Sequence, residues 1–447
     1  MTPAPPPLDQ APAPPAQLLV RGARLVDPRL GFDRRADVLV RDGRVAEVGD
    51  GLGAPPGTEE DEAEGLLCLP AFVDPHVHLR TPGREDEEDV ESGTRAAAAG
   101  GFGRILAMAN TDPVVDDASV LRSLRDRARR EARVPVGFLA SITRGLRGEQ
   151  LTEMAELADE GAAAFSDDGV PVRHAGVLRM ALQYQRLAGR TLALHEEDPS
   201  LSGDGAMHEG RVSALLGLAG IPSISEATAI ARDAAVARYE DGRIHVQHLS
   251  ARESVEEVER AKALGARVTA EVTPHHLTLT DEHVRTLDSH FKMNPPLRAE
   301  ADRQALLDGL RSGVIDCVAT DHAPHSREEK EQPFEEAPMG VIGLETAWAV
   351  LHTALVRPGL LGLDVLVARM TAGGEPFGLP APSLAPGAPA ELCLVDPEAT
   401  WEVGEAGYES RSANSPWAGA TLTGRVVLTV AGGAVAFRDR ARAATGA

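Results

Sequence analysis

Lysine is the residue this 447-residue chain most lacks: of forty-five basic side chains only Lys262, Lys292 and Lys330 are lysines. The imbalance reads as genomic bias, yet any chemistry that requires a lysine has only three positions to draw on. Cysteine is as scarce. Cys68, Cys317 and Cys393 are scattered and odd in number, which excludes a disulfide framework and a CxxC zinc site and fits a reducing cytoplasm. No apolar run approaches the ~18 residues of a membrane helix, and the N-terminus lacks the basic-then-apolar signature of a signal peptide. Positive charge is short as well, with a net charge of −23. That balance argues against nucleic acid or anionic membrane as a partner. It leaves a small anionic substrate open, because such a ligand answers to local charge. What the chain does have is 43% hydrophobic and 25% charged residues, enough for one large barrel and a smaller domain.

Residues 1–16 are rich in proline and alanine without an apolar period, the pattern of a disordered or extended tail. Short β-like runs then alternate with Gly/Asp turns, at Leu18–Val20, Ala36–Val40 and Arg44–Val48. The far end repeats that texture at Ala390–Val395, Thr421–Val430 and Gly433–Phe437. Both ends are therefore expected to form one small sandwich-like β domain (residues 17–67 and 380–440), with residues 68–379 inserted between them. The inserted part alternates between strand and helix. Strand candidates fall at Leu66–Val73, Arg104–Met108, Val134–Ala140, Ala162–Phe165, Thr191–Leu194, Arg243–Gln247, Arg267–Val272 and Ile315–Ala319. Between most of them lie stretches of helical period, such as Asp117–Ala132 and Ala251–Leu264. Eight strands alternating with helices predict an α/β fold of the (β/α)8 type. A doubly wound sheet is the alternative, and the strand count favours the barrel.

The residues just past each strand candidate carry the chemistry. Asp74-Pro75-His76-Val77-His78 puts two imidazoles on one side of a strand end, because strand side chains alternate with period two. The fourth strand ends in Asp167-Asp168-Gly169, the fifth in His195, the sixth in His248 and the eighth in Asp321. Any one alone is a weak signal. Four histidines and two carboxylates converging on the C-terminal rim of a barrel make a metal site. They exceed the needs of one tetrahedral ion. Two metals about 3.5–4 Å apart would use His76, His78 and Asp321 for one ion and His195 and His248 for the other. A carboxylate after the fourth strand would lie between them, with Asp167 and Asp168 equally eligible. Water bridging two such ions loses its proton near neutral pH, so the chemistry points to a metal-dependent hydrolase.

The pattern resembles the amidohydrolase superfamily and, within it, the dihydroorotases of the longer bacterial type. The segments that carry the resemblance are HVHLRTPG (76–83), ANTDP (109–113), FSDDG (165–169), EVTPHHL (271–277), KMNPPLR (292–298) and ATDHAPH (319–325), with Asn414-Ser415-Pro416 and Leu422–Val430 similar to the family's C-terminal β segment. It implies a TIM-like barrel with metal ligands His76, His78, Asp168, His195, His248 and Asp321, and two zinc ions, or one. It selects Asp168 as the bridge where many relatives carry a carbamylated lysine, which disfavours hydantoinase and most allantoinase relatives. Arg80, Asn110 and His325 would grip the substrate carboxylate, and Asn294 with the backbone at Met339-Gly340 would meet the ring amides. A metal-activated water would attack and Asp321 would carry the proton, interconverting L-dihydroorotate and N-carbamoyl-L-aspartate in pyrimidine synthesis. The charged segment from His322 to Gly343 has the character of a flap. Thr81, Ala109 and Met339 depart from the usual Glu, Pro and Phe without removing a ligand. The resemblance further implies a cytoplasmic homo-oligomer, a dimer, able to associate with aspartate transcarbamoylase. Two alternatives are another cyclic amidohydrolase, against which Arg80 with Asn110 and the missing lysine after the fourth strand argue, and a non-catalytic subunit that scaffolds that transcarbamoylase, against which the retained histidines argue.

Overall fold

The computed structural model describes residues 4–439, so residues 1–3 of the expected tail and residue 440 of the expected small domain lie outside it. Eight parallel strands form the central wall: Phe72–Val77, Phe102–Ala107, Val136–Phe138, Phe165–Ser166, Leu192–Leu194, Arg243–Val246, Arg267–Val272 and Cys317–Val318. Two parallel bridges complete the ring. Ala140 with Phe165 joins the third strand to the fourth, and Val77 with His322 brings the end of the eighth back to the first. The strands match the expected (β/α)8 barrel. No helix among the described residues is long and apolar enough to cross a membrane.

The helices that cover the barrel follow their sequence signals. Asp117 caps the helix Ala118–Glu131 by accepting from the backbone N–H groups of Ser119 and Val120, and Leu121, Leu124 and Ala128 form its buried stripe. The barrel interior is packed with small and medium side chains, Leu106, Met108, Leu139, Ala163, Ala164 and Ala193 among them.

The apolar run Leu66–Val73, interrupted in the sequence by Pro70, divides just after that residue into strands of two different sheets. Leu67–Pro70 pairs antiparallel with Leu392–Val395 and parallel with Arg24-Leu25, in the outer sheet. Successive amides then point into different sheets: Ala71 N–H donates to Glu391 O (3.0 Å) and Phe72 N–H to Gly101 O (2.9 Å). The barrel therefore starts at residue 72, four residues later than expected. The outer domain is one continuous sheet in which the C-terminal strands Leu392–Glu402, Thr421–Ala431 and Ala434–Arg438 join the N-terminal strands through Leu67–Pro70. Its two wings share one apolar cluster that includes Leu18, Val38, Leu392 and Val430.

The proline-rich leader is not disordered over residues 4–16. Asp9 pairs antiparallel with Val136 through two backbone hydrogen bonds of 2.9 Å. Its carboxylate takes Nε–H groups of Arg125 (2.7 Å) and Arg129 (2.9 Å), and Leu8 packs on the barrel's interior cluster. Proline composition removes helix and ladder donors, but an extended strip still has the donors of its other residues, and here they find partners.

Candidate metal centre

His76, in the first barrel strand, is fully buried. Its Nδ1–H donates to Glu271 Oε1 at 2.7 Å, which fixes the tautomer and turns Nε2 toward the barrel mouth. Asp168 Oδ1 and Asp321 Oδ1 each lie 3.4 Å from that Nε2, yet it makes no hydrogen bond. A buried imidazole nitrogen with its lone pair aimed between two carboxylates is an arrangement that a cation satisfies. The neighbouring imidazoles face the same carboxylates. His78 Nε2 is 3.2 Å from Asp321 and 3.5 Å from Asp168, and His248 Nε2 is 3.7 Å from Asp168. His195 Nδ1 approaches His248 Nε2 at 2.9 Å. Two overlapping triads, His76–Asp168–His248 and His76–His78–Asp321, keep their ligand atoms within 4.8 Å of one another. All six expected ligands come together, and the donor set fits a divalent cation.

The same carboxylates draw positive charge to this point, either a proton on His76 Nε2 or a divalent cation in its place. Burial alone would push the His76 imidazole down, but Asp168, Asp321 and Glu271 outweigh it and hold the group well above its ordinary value. Burial likewise opposes ionisation of Asp168 and Asp321, and the surrounding imidazoles overcome it, so both carboxyls sit well below the usual range. The backbone is also unusual here. Arg80, His248 and Asp321 have φ of 53°, 34° and 49°, the left-handed region that non-glycine residues rarely occupy and that gathers at functional sites.

Asp167 and Asp168 separate cleanly. Asp167 accepts from Ile142 N–H (2.7 Å), Thr143 N–H (3.0 Å) and the Thr143 hydroxyl, so it ties down the loop after the third strand. Asp168 faces the histidines. Asn110 donates to Asp168 Oδ2 at 3.2 Å and accepts from His78 Nδ1 at 3.0 Å, orienting two of the expected ligands. Arg80 is 13% exposed; its Nε donates to Pro324 O at 2.9 Å and its NH2 lies 3.3 Å from His325 Nε2. Asn294 donates to Glu197 Oε2 (2.9 Å), which in turn receives His195 Nε2–H (3.1 Å). His325 Nε2–H donates to Met339 O at 2.9 Å. Gly340 has φ 130°, and a Cβ there would stand 2.8 Å from Ala323 Cβ and 3.1 Å from His325 Nε2, so the position requires glycine.

Three supporting residues escaped the sequence reading. Glu271 also accepts from His245 Nε2–H (2.9 Å), whose Nδ1 meets the Thr269 hydroxyl at 2.8 Å. Burial works against its charge, but His76 and His245 hold the Glu271 carboxyl at about 2. An acid in the otherwise apolar end of the seventh strand was the available signal. Asp74 accepts from His76 N–H and from the Thr320 hydroxyl (2.6 Å), tying the first strand to the eighth; burial pushes its carboxyl up to about 7. Glu88 accepts from His322 Nε2–H at 3.1 Å beside Asp321. A separate cavity of about 680 Å³, walled by Trp348, Trp401, Tyr408 and Phe437, contains none of these groups.

Comparison with known proteins agrees with this geometry. Residues 65–254 match the dihydro-orotase-like family and residues 226–436 the amidohydrolase family. A dihydroorotase of Geobacter metallireducens is 44% identical over 422 residues, covering 94% of this chain and 99% of that protein. One from Pelotomaculum thermopropionicum is 44% identical over 425 residues, 95% and 99% of the two chains. The structure of an L-hydantoinase (dihydropyrimidinase) from Arthrobacter aurescens superposes with a TM-score of 0.84 at 26% identity, over 94% of this chain and 96% of that one. The chain belongs to the dihydroorotase family of amidohydrolases and is a cyclic amide hydrolase.

Proposed function

We propose that this member of the dihydroorotase family catalyses the reversible hydrolysis of L-dihydroorotate to N-carbamoyl-L-aspartate, with zinc as its metal. The observation that carries this reading is the corner where the Arg80 guanidinium, 3.4 Å from Glu87, lies 3.3 Å from His325 Nε2 beside the histidine–carboxylate cluster. A cyclic amide that bears a carboxylate needs such a partner, and a guanidinium supplies it by charge-assisted hydrogen bonds. A neutral hydantoin ring has no use for it. The three lysines are engaged outside the cluster, with Lys262 on Asp316, Lys292 on Glu335 O and Ala337 O, and Lys330 on Pro338 O and Gly340 O. Asp168 therefore stands where a carbamylated lysine would bridge in other relatives.

His76, His78 and Asp321 would hold one ion and His195 and His248 a second, with Asp168 between them. A divalent cation bound there supplies Lewis acidity, which activates water and polarises the amide carbonyl. Zinc itself rests on the family, since N/O donors also accept manganese or cobalt. Asp321, kept ionised by the imidazoles around it, accepts the proton of the attacking water. As the ring C–N bond breaks, Asp321 delivers that proton to the departing nitrogen, and the water oxygen stays on the carbonyl carbon. Arg80, Asn110 and His325 bind the carboxylate, and Asn294 with the Met339-Gly340 backbone meets the ring amides. The reverse direction uses the same proton path. A cytoplasmic homodimer acting at the third step of pyrimidine synthesis, able to associate with aspartate transcarbamoylase, follows from the family alone.

The test is turnover of L-dihydroorotate, hydantoin and allantoin by the zinc-loaded chain, with metal content measured in parallel. Turnover of L-dihydroorotate alone supports the reading. Preference for hydantoin would replace it with a hydantoinase assignment.

A further inference from the structure

Ser410-Arg411-Ser412-Ala413-Asn414 belongs to the C-terminal segment, between the outer strands Leu392–Glu402 and Thr421–Ala431, and has no part in the chemistry above. It alternates strictly. Ser410, Ser412 and Asn414 are buried while Arg411 and Ala413 are exposed, the period of an extended strip with one face on the protein. Each buried side chain holds a different piece of the active-site rim. The Ser410 hydroxyl donates to Glu88, the carboxylate that receives His322 Nε2–H. The Ser412 hydroxyl donates to Glu87 O at 2.8 Å. Asn414 Nδ2 donates to both Ala323 O (3.0 Å) and Gly340 O (3.2 Å), and its Oδ1 accepts the His325 backbone N–H at 3.2 Å. On the outer side Arg411 pairs with Asp89 and donates to Glu85 O at 2.7 Å, pressing the strip down.

The amide of Asn414 can sit only one way round, because its oxygen must meet an N–H and its nitrogen two carbonyls. Aspartate has the shape without the donors, serine has neither the reach nor the second donor, and leucine has no polar atom. The groups it joins are the backbone of His325 and the carbonyl of Gly340, which flank the Met339 carbonyl that holds the His325 ring. Lys330 Nζ grips the same turn at Pro338 O and Gly340 O, 3.0 Å each. The segment expected to be a flap is thus pinned from two sides. One pin, Asn414, lies outside the barrel.

We infer that Asn414, delivered by the Ser410–Asn414 strip, is a positioning residue that sets the affinity of the carboxylate corner by fixing His325 opposite Arg80. It rests on the functional reading above. Loss of Asn414 leaves the Ala323 carbonyl and the His325 N–H without partners and Gly340 O with Lys330 alone, and it lets His325 drift, which weakens substrate binding. The metal ligands and Asp321, supported by Glu271, Asp74 and Asn110, are untouched.

The experiment compares the full-length, zinc-loaded wild type with Asn414→Asp, Asn414→Ala and Ser412→Ala, measuring kcat and KM for L-dihydroorotate and zinc content. KM is expected to rise about ten- to a hundredfold in both Asn414 variants and less in Ser412→Ala, with kcat within about threefold and zinc content unchanged. Equal KM in wild type and Asn414→Asp overturns the inference, as does a fall in kcat that tracks loss of zinc. If the Asn414 variants do not fold, Ser412→Ala decides alone: a raised KM at constant kcat supports the inference and an unchanged KM overturns it. A wild type that leaves L-dihydroorotate intact overturns the functional reading and this inference with it, whereas an active wild type matched by its variants overturns the inference only.

Discussion

On one side of the pocket, His76, His78, Asp168, His195, His248 and Asp321 come from the ends of barrel strands, and other side chains hold several of them. Glu271 orients His76, Asn110 orients His78 and Asp168, and Glu197 meets His195. On the other side, Arg80, His325 and Gly340 sit on loops and are held through backbone carbonyls as well as carboxylates: Pro324 O and Glu87 at Arg80, Met339 O and Glu329 at His325, and Asn414 and Lys330 on Gly340 O. The first construction fixes charge and lone-pair direction, which a metal needs. The second fixes the distance between a guanidinium and an imidazole, two groups that can donate to a carboxylate. Damage to the two sides should therefore read out differently, in kcat and metal on one and in KM on the other.

Asp321→Ala should produce the largest effect, a fall in kcat of about a thousandfold at unchanged fold, since it removes the proton carrier; steady-state rates with circular dichroism would check it. A mild effect would move the proton work elsewhere and blur the contrast. Glu271→Gln should weaken metal binding by about ten- to a hundredfold, seen in chelator competition and as a shifted visible band in the cobalt-substituted chain, with a smaller change in KM at saturating metal. Arg80→Ala should raise KM by about tenfold or more through loss of a charge-assisted contact, with metal content constant; a metal-poor Arg80→Ala would merge the two sides into one unit. Asp9→Ala lies outside both. It should lower thermal stability by about 1–2 kcal/mol, because Arg125 and Arg129 lose a largely buried partner, while kcat and KM stay as they are.

The strand-side residues were legible because two regular rules act there together. Period two aligned His76 with His78, and the barrel rule picked His195, His248 and Asp321 from the ends of apolar runs. Adjacent Asp167 and Asp168 lay beyond those rules; the resemblance selected Asp168, and the donors at Ile142 and Thr143 give Asp167 a different task. Glu271 stood inside a recognised segment, but its partners His76 and His245 come from other strands, and no local pattern states that pairing. Pro70 marked the split at Ala71, but Leu66–Val73 is apolar on both sides of it, so composition did not assign the two halves to different sheets; what changes is the direction of two backbone donors. Residues 4–16 looked like a tail because composition reports the chain's own preferences. It says nothing of the arginines and strand edge that receive it.

Leu67–Pro70 is the seam through which the two halves of the outer sheet meet, with Leu392–Val395 on one side and Arg24-Leu25 on the other. About 320 residues separate the seam from its C-terminal neighbour. At ribosomal rates of about 5–20 residues per second, the early strands spend on the order of tens of seconds with an open edge. Throughout that wait they present unpaired donors and acceptors to any other nascent chain. Production yield of this enzyme should therefore follow translation speed and chaperone supply more closely than the strength of its finished core.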